Sequence, residues 1–212
     1  MFTEMLLTDD NTMPKTPLLN PREYYQRVER PSLPFASGIV LLEALALSAL
    51  LWVFMNRLFD RIDISPATRS EVSGTVSDAV FGIAIGVVVG WLLLAAVLHV
   101  FVWFADGDGG FGTTLAVVGE SELVTIVFLP LTGIGLFAVL GDVPADPAAA
   151  AGFLENSTTT ASPLTLLTSF VTFVWQAVIQ GVGLAVAHDI PVGKMLTLTV
   201  VVGLLGFLFN LA

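Results

Sequence analysis

Six ionisable residues stand inside or at the ends of long apolar stretches: Glu43, His99, Glu120, Glu122, His188 and Lys194. A carboxylate or imidazole in such a setting must be partnered, protonated or reached by water, and each state is potential ion or proton chemistry. Glu43 falls about two turns into its stretch, and His99 just over a turn before the end of the next. Glu120 and Glu122 open a third stretch, His188 closes a fourth, and Lys194 opens a fifth. A helix through Glu120 and Glu122 turns the two carboxylates to nearly opposite faces, so a helical segment does not bring both into one site. Gln176 and Gln180 belong to a stripe with Thr165, Ser169, Thr172 and Gly183, spaced by three or four residues. Such a stripe either hydrogen-bonds to neighbouring helices or lines a hydrated path. The candidate polar site is therefore Glu43, His99, Glu120, Glu122, Gln176, Gln180 and His188. The plainer reading of its ionisable members is a wet rim at headgroup level.

Other chemistries lack their residues. The chain has no cysteine, which excludes disulfides, thiol catalysis and Cys–zinc sites. Asp106-Gly107-Asp108-Gly109-Gly110 begins like a calcium loop, but Phe111 and Val117 occupy the positions that need glycine and glutamate. There is no HExxH, GxSxG or phosphate loop. The expectation is a protein that is not an enzyme, with no cofactor and no metal.

The elements that must position these residues are apolar. The stretches run Phe35–Leu58, Val80–Ala105, Leu123–Leu140, Leu164–His188 and Met195–Ala212. Each approaches or exceeds the ~18–20 residues a helix needs to cross ~30 Å of hydrocarbon. With 55% hydrophobic and 12% charged residues in 212, and a mean hydropathy of +0.87, the solvent of the fold is lipid. The predicted class is all-α: a polytopic five-helix transmembrane bundle over residues 35–212, preceded by a polar segment, 1–34. In that segment Asn20-Pro21-Arg22-Glu23 reads as a capped helix start, with the helix running to about Glu29. Arg22, Tyr24, Tyr25 and Arg27 would form its partner or lipid surface. Residues 111–119 read as helical and partly interfacial. Residues 56–77 and 141–163 read as loops. Gly82, Gly86 and Gly90, at intervals of four, predict a face for close helix packing.

Alternating span direction places the polar site at one end of the bundle, shared by the N-terminus and the second and fourth loops. Lys15, Arg22, Arg27, Arg30 and Lys194 share that side, against Arg57, Arg61 and Arg69 on the other. The positive-inside rule then gives a multi-pass cell-membrane protein with a cytoplasmic N-terminus and an outside C-terminus. Asn156 heads an Asn-Ser-Thr sequon that would face outside, where glycosylation is possible. A net charge of −10 with two lysines points to a salt-rich, halophilic cytosol and away from nucleic acid. The expected partners are the bilayer and a membrane or cytoplasmic protein; a homo-oligomer is compatible with the sequence.

Three segments carry a resemblance. These are Asn20-Pro21-Arg22-Glu23-Tyr24-Tyr25, the glycine turn and helix entrance from Gly109 to Gly119, and Trp175 followed by Gly183–His188 and Lys194. With the five-span pattern, the chain from about Asn20 to Leu211 resembles the Yip (Ypt/Rab-interacting) family of membrane proteins, as a haloarchaeal member. Glu120-Ser121-Glu122-Leu123 departs from that family's aromatic–proline helix entrance. Eukaryotic members bind Rab-type GTPases and act in vesicle traffic. The resemblance implies a non-enzymatic scaffold or adaptor that organises membrane or binds partners. The alternative is a small transporter or ion-pathway subunit using Glu43, His99, Gln176 and Gln180.

Overall fold

The computed structural model describes residues 16–28, 30–159 and 163–211. Lys15 and Glu29 lie outside them. The described residues form eight helices and no strand: α1 (Pro21–Arg27), α2 (Leu33–Arg61), α3 (Pro66–Phe104), α4 (Phe111–Ser121), α5 (Leu123–Leu140), α6 (Pro147–Thr159), α7 (Pro163–Ala187) and α8 (Val192–Leu211).

Local chemistry sets the boundaries. Asn20 caps α1 by accepting from the Glu23 amide (3.3 Å), while its own amide donates to the Glu23 carboxylate (2.6 Å). Pro21 takes the first position, where its missing N–H costs nothing. Ser32 caps α2 and Ser65 caps α3 in the same way, with Pro34 and Pro66 in the first turns. The Ser65-Pro66 start corrects the expected loop over 56–77: α2 runs on to Arg61, and only residues 62–65 connect it to α3. A second correction falls on 141–163, where the alanine-rich Pro147–Thr159 forms α6. Alanine is the strongest helix former, and Asp146 accepts from the Ala149 amide (2.8 Å) at the start of the helix.

Four segments are long and apolar enough to cross a bilayer: α2, α3, the run α4–α5 and α7. α8 is apolar over Val192–Phe207 and shorter. α3, at 39 residues, is about 58 Å long and overhangs a ~30 Å hydrocarbon layer. α4 and α5 join at a tight turn centred on Glu122, whose amide bonds to the Gly119 carbonyl (3.3 Å).

The segment 111–119 is helical as expected; Phe111 and Gly112 are exposed, and the rest of it runs into the core. Every residue from Thr114 to Ser121 is buried, because α2, α3 and α7 surround α4. Around it Leu98, Val102, Val117, Val118, Ile179, Leu184 and Met195 form the main apolar cluster, with Tyr24 and Tyr25 inside it. A smaller cluster at the opposite end joins Phe54, Leu58, Leu140, Val143 and Ala150.

Close packing falls on different glycines from those expected. Gly82, Gly86 and Gly90 are open among the described residues: a Cβ at any of them meets nothing there within 4 Å. They lie on the outer side of α3 with exposed Phe81, Ile85 and Val89. The close crossings are at Gly119, where a Cβ would stand 2.9 Å from Ala36 Cβ, and at Gly181, 2.7 Å from the Leu196 backbone.

Candidate functional site

Three polar clusters occupy the interior, and all are fixed by α4 or the turn that ends it. The first is built on the turn after α3. Asp106 and Gly109 adopt positive φ (56° and 108°), and the turn closes onto the end of α7. The Asp108 amide donates to the His188 carbonyl (3.0 Å), and His188 Nδ1 faces the Asp108 carbonyl. A Cβ at Gly109 would stand 2.9 Å from that ring, so only glycine fits. A carbonyl only accepts, so His188 Nδ1 carries the proton and Nε2 has the lone pair. Thr114 Oγ1 then donates to His188 Nε2 (2.9 Å) and accepts from His99 Nδ1 (2.9 Å). Burial, with His99 as a lesser contribution, holds His188 below its usual value, which keeps it neutral in this network. The chain of bonds ties α3, α4 and α7 together.

The second cluster surrounds Glu120. It is fully buried and accepts from the Ser32 amide (3.3 Å). The hydroxyls of Tyr24 and Tyr25 lie near the same carboxylate, and the Tyr25 hydroxyl is buried without closing a hydrogen bond. Burial first, and then the Glu120 charge, pushes Tyr24 up to about 12 and Tyr25 well above its usual value, so both stay neutral. Tyr25 fits because Gly183 leaves a notch: a Cβ there would stand 2.6 Å from the ring. Trp175 Nε1 donates to the Leu18 carbonyl (3.0 Å), fixing the segment ahead of α1 on the same helix. Residues 16–28 and 30–32 thus form a strap drawn across the bundle.

This corrects the expected surface of α1. Tyr24 and Tyr25 are buried, at 8% and 3% exposure, because their rings fill space between α4 and α7. Arg22, Gln26 and Arg27 are the exposed residues, with Arg27 paired to Glu23.

The third cluster joins Glu43, Glu122 and Gln176. The Glu43 carboxyl meets that of Glu122 near the Thr125 hydroxyl. Gln176 Nε2 donates to Glu122 Oε2 (2.7 Å) and to Thr125 Oγ1 (2.9 Å). One turn along α7, Gln180 donates to Ser121 Oγ (2.9 Å), which donates to the Val118 carbonyl (2.6 Å). Glu43 is 6% exposed, while Leu41, Leu42 and Leu45 beside it are 56%, 53% and 68% exposed. Apolar side chains thus turn outward on either side of a carboxyl that turns inward.

Glu120, in the last turn of α4, and Glu122, in the turn that follows it, enter separate clusters. His99 and His188 come together, and Glu43 joins Glu122 and Gln176. Lys194 stays exposed at the start of α8. The stripe on α7 divides between two environments. Gln176 and Gln180 bond to neighbouring segments, while Thr165, Ser169 and Thr172 line a cleft of about 550 Å³ between α5, α7 and α8. Thr125 and Gln176 stand in its wall and bond to Glu122. Thr114, Thr125 and Ser121 were not singled out from sequence. Single hydroxyls are common in membrane helices, and only the partner across the fold distinguishes these.

No curated protein and no solved structure matches the chain. A family model, the Yip1 domain, matches residues 15–212. Its span takes in the strap and all three polar clusters. The chain therefore belongs to the Yip1 domain family of multi-pass membrane proteins.

Proposed function

We propose that the protein is a non-enzymatic membrane adaptor that holds a protein partner on the end of the bundle carrying the strap. The observation that supports this most directly is the anchoring of α1. Three attachments distant in sequence hold it: Trp175 to Leu18, Glu120 to Ser32, and Tyr25 in the Gly183 notch. A segment kept only for membrane contact would not need a buried carboxylate and two buried tyrosines. The attachments present Arg22, Gln26 and Arg27 in a fixed array, with Asp108, Asp189 and Lys194 exposed on the adjoining turns. A preorganised polar surface gains affinity by lowering the ordering cost of binding.

In this reading α8 is a fifth span, the strap faces the cytoplasm, and the end carrying α6 faces outside, with Asn156 exposed there. The acid excess suits a halophilic cell. A photo-crosslinking residue at Gln26 tests the reading in cells. The expected result is a discrete protein adduct that disappears when Arg22→Glu and Arg27→Glu are introduced together. The same probe at lipid-facing Leu93 should give none. An adduct at Gln26 that persists in the double variant would reject α1 as the docking surface.

A further inference from the structure

α8 is seated firmly on α7 and leaves a space beside it. The two helices cross closely at Gly181, and Thr199 Oγ1 donates to the Ala177 carbonyl (2.8 Å). The Phe173 ring lies where a Cβ at Gly203 would stand, and Phe207 stacks on it with centroids 6.0 Å apart and planes at 25°. α8 packs on α7 and lightly on α3, whereas α5 packs on α2 and α7. The cleft of about 550 Å³ is the space left between α5 and α8, with α7 as its floor. Its size falls within the ~300–1,000 Å³ of small-molecule sites. A space of this size does not stay void, and its lining decides what fills it.

The lining has two halves. One is aromatic, the Phe173–Phe207 pair; the other is a row of hydroxyls and an amide on the floor. Thr132 and Thr168, also in the lining, each donate to the carbonyl one turn earlier, at 3.3 and 2.8 Å. A hydroxyl in a membrane helix satisfies itself in this way. Ser169 and Thr172 do not: neither hydroxyl has a hydrogen bond among the described residues, and both are accessible from the cleft. Gln176 uses its amide nitrogen on Glu122 and Thr125 and keeps its carbonyl oxygen to accept. A hydrocarbon tail alone would leave these groups without partners, which is costly away from water. Water alone would wet the aromatic wall. No charged side chain lines the cleft, so nothing there recognises an ionic headgroup.

We infer that the cleft binds a neutral amphiphile with free hydroxyls, of the monoacylglycerol type. Its polar end donates to Gln176 Oε1 and exchanges hydrogen bonds with Ser169 and Thr172. Its chain lies along Phe173 and Phe207 and leaves between α5 and α8. One polar end and one apolar chain satisfy both halves of the lining at once. The site uses no residue of the strap, so it does not depend on the adaptor reading.

The test uses the full chain in phosphatidylcholine nanodiscs and a monoacylglycerol carrying a diazirine in its chain. Illumination is expected to attach the probe to peptides covering residues 165–180 and 202–207. The labelling should saturate, and unlabelled monoacylglycerol should compete with it. The methyl ester of the same diazirine fatty acid keeps the chain and lacks the hydroxyls. It should label about tenfold less, as the loss of one or two hydrogen bonds requires. Thr172→Val keeps the side-chain shape and should lower monoacylglycerol labelling by a similar factor. Ser169→Phe, which fills the cleft from an exposed position, should abolish it. Thr197→Val, exposed on α8 and bonded within its own helix, should label as the wild type does. Thr172→Val is nearly isosteric, so it guards against a Ser169→Phe variant that merely fails to fold. Equal labelling by the ester would mean a groove for hydrocarbon only, and no labelling would mean a cleft filled with water. Labelling unchanged in both cleft variants would place the lipid elsewhere. Each of these results would overturn the assignment.

Discussion

His188 shows how a single side chain can make this membrane fold sensitive to pH. Its ring is fully buried, and its Nε2 accepts from Thr114 only while unprotonated. Burial lowers its folded value below the ordinary 6.5. The unfolded chain therefore binds this proton more readily than the folded one between the two values. The contribution to stability is fully present above about pH 6.5 and is lost as the pH falls towards the lowered folded value. Thermal unfolding followed by circular dichroism should show a midpoint that is level above pH 6.5 and declines below it. In His188→Gln, which keeps a donor and an acceptor, the decline should flatten. An equal slope in both proteins would place the sensitivity elsewhere. The sequence made His99 and His188 visible as candidates at one end of the molecule. It did not show that Thr114 joins them, because a lone threonine 15 residues from one and 74 from the other has no local signature.

At the scale of elements, the glycines of α3 and α7 separate periodicity from packing. Gly82, Gly86 and Gly90 have a regular interval but no close neighbour among the described residues; Gly183 has no such series and holds the Tyr25 ring. Gly183→Val should push out Tyr25 and release α1, with a cost of about 1–3 kcal/mol. Hydrogen exchange over residues 21–27 should rise sharply, while exchange in α3 stays as it was. Gly86→Ala should be neutral or stabilise by up to ~1 kcal/mol, since it removes backbone freedom at an open helical position. A larger loss from Gly86→Ala than from Gly183→Val would reverse this ordering. Interval patterns reveal which residues share a face, and α7's stripe was legible for that reason. They do not reveal what lies opposite. The same limit applies to α4, whose sequence resembles an interfacial helix entrance although three helices enclose it. α6 was obscured for a local reason: proline and threonine at its ends outweighed the alanines between them.

For the whole molecule, hydropathy exposed the lipid solvent and the approximate spans, and the motifs around Asn20, Gly109 and Trp175 exposed the family. Sidedness is open to direct measurement because the chain has no cysteine, so any single cysteine is the only thiol. In intact cells an impermeant maleimide should label Glu155→Cys, on the end carrying α6, and leave Gln26→Cys unlabelled until the membrane is opened. The opposite pattern would invert the proposed orientation.

The strap has a consequence for how the protein is made. Leu18 leaves the ribosome early, whereas its hydrogen-bond partner Trp175 is 157 residues further along the chain. The Gly183 notch that receives Tyr25 is synthesised later still. Until α7 arrives, α4 lacks one of its enclosing walls and Gln180 is absent from Ser121. α1 therefore seats only after α7 has inserted, so the outer face of the strap is assembled by the protein's own completion. An unfinished chain in the membrane would have the arginines of α1 without the surface that holds them in place.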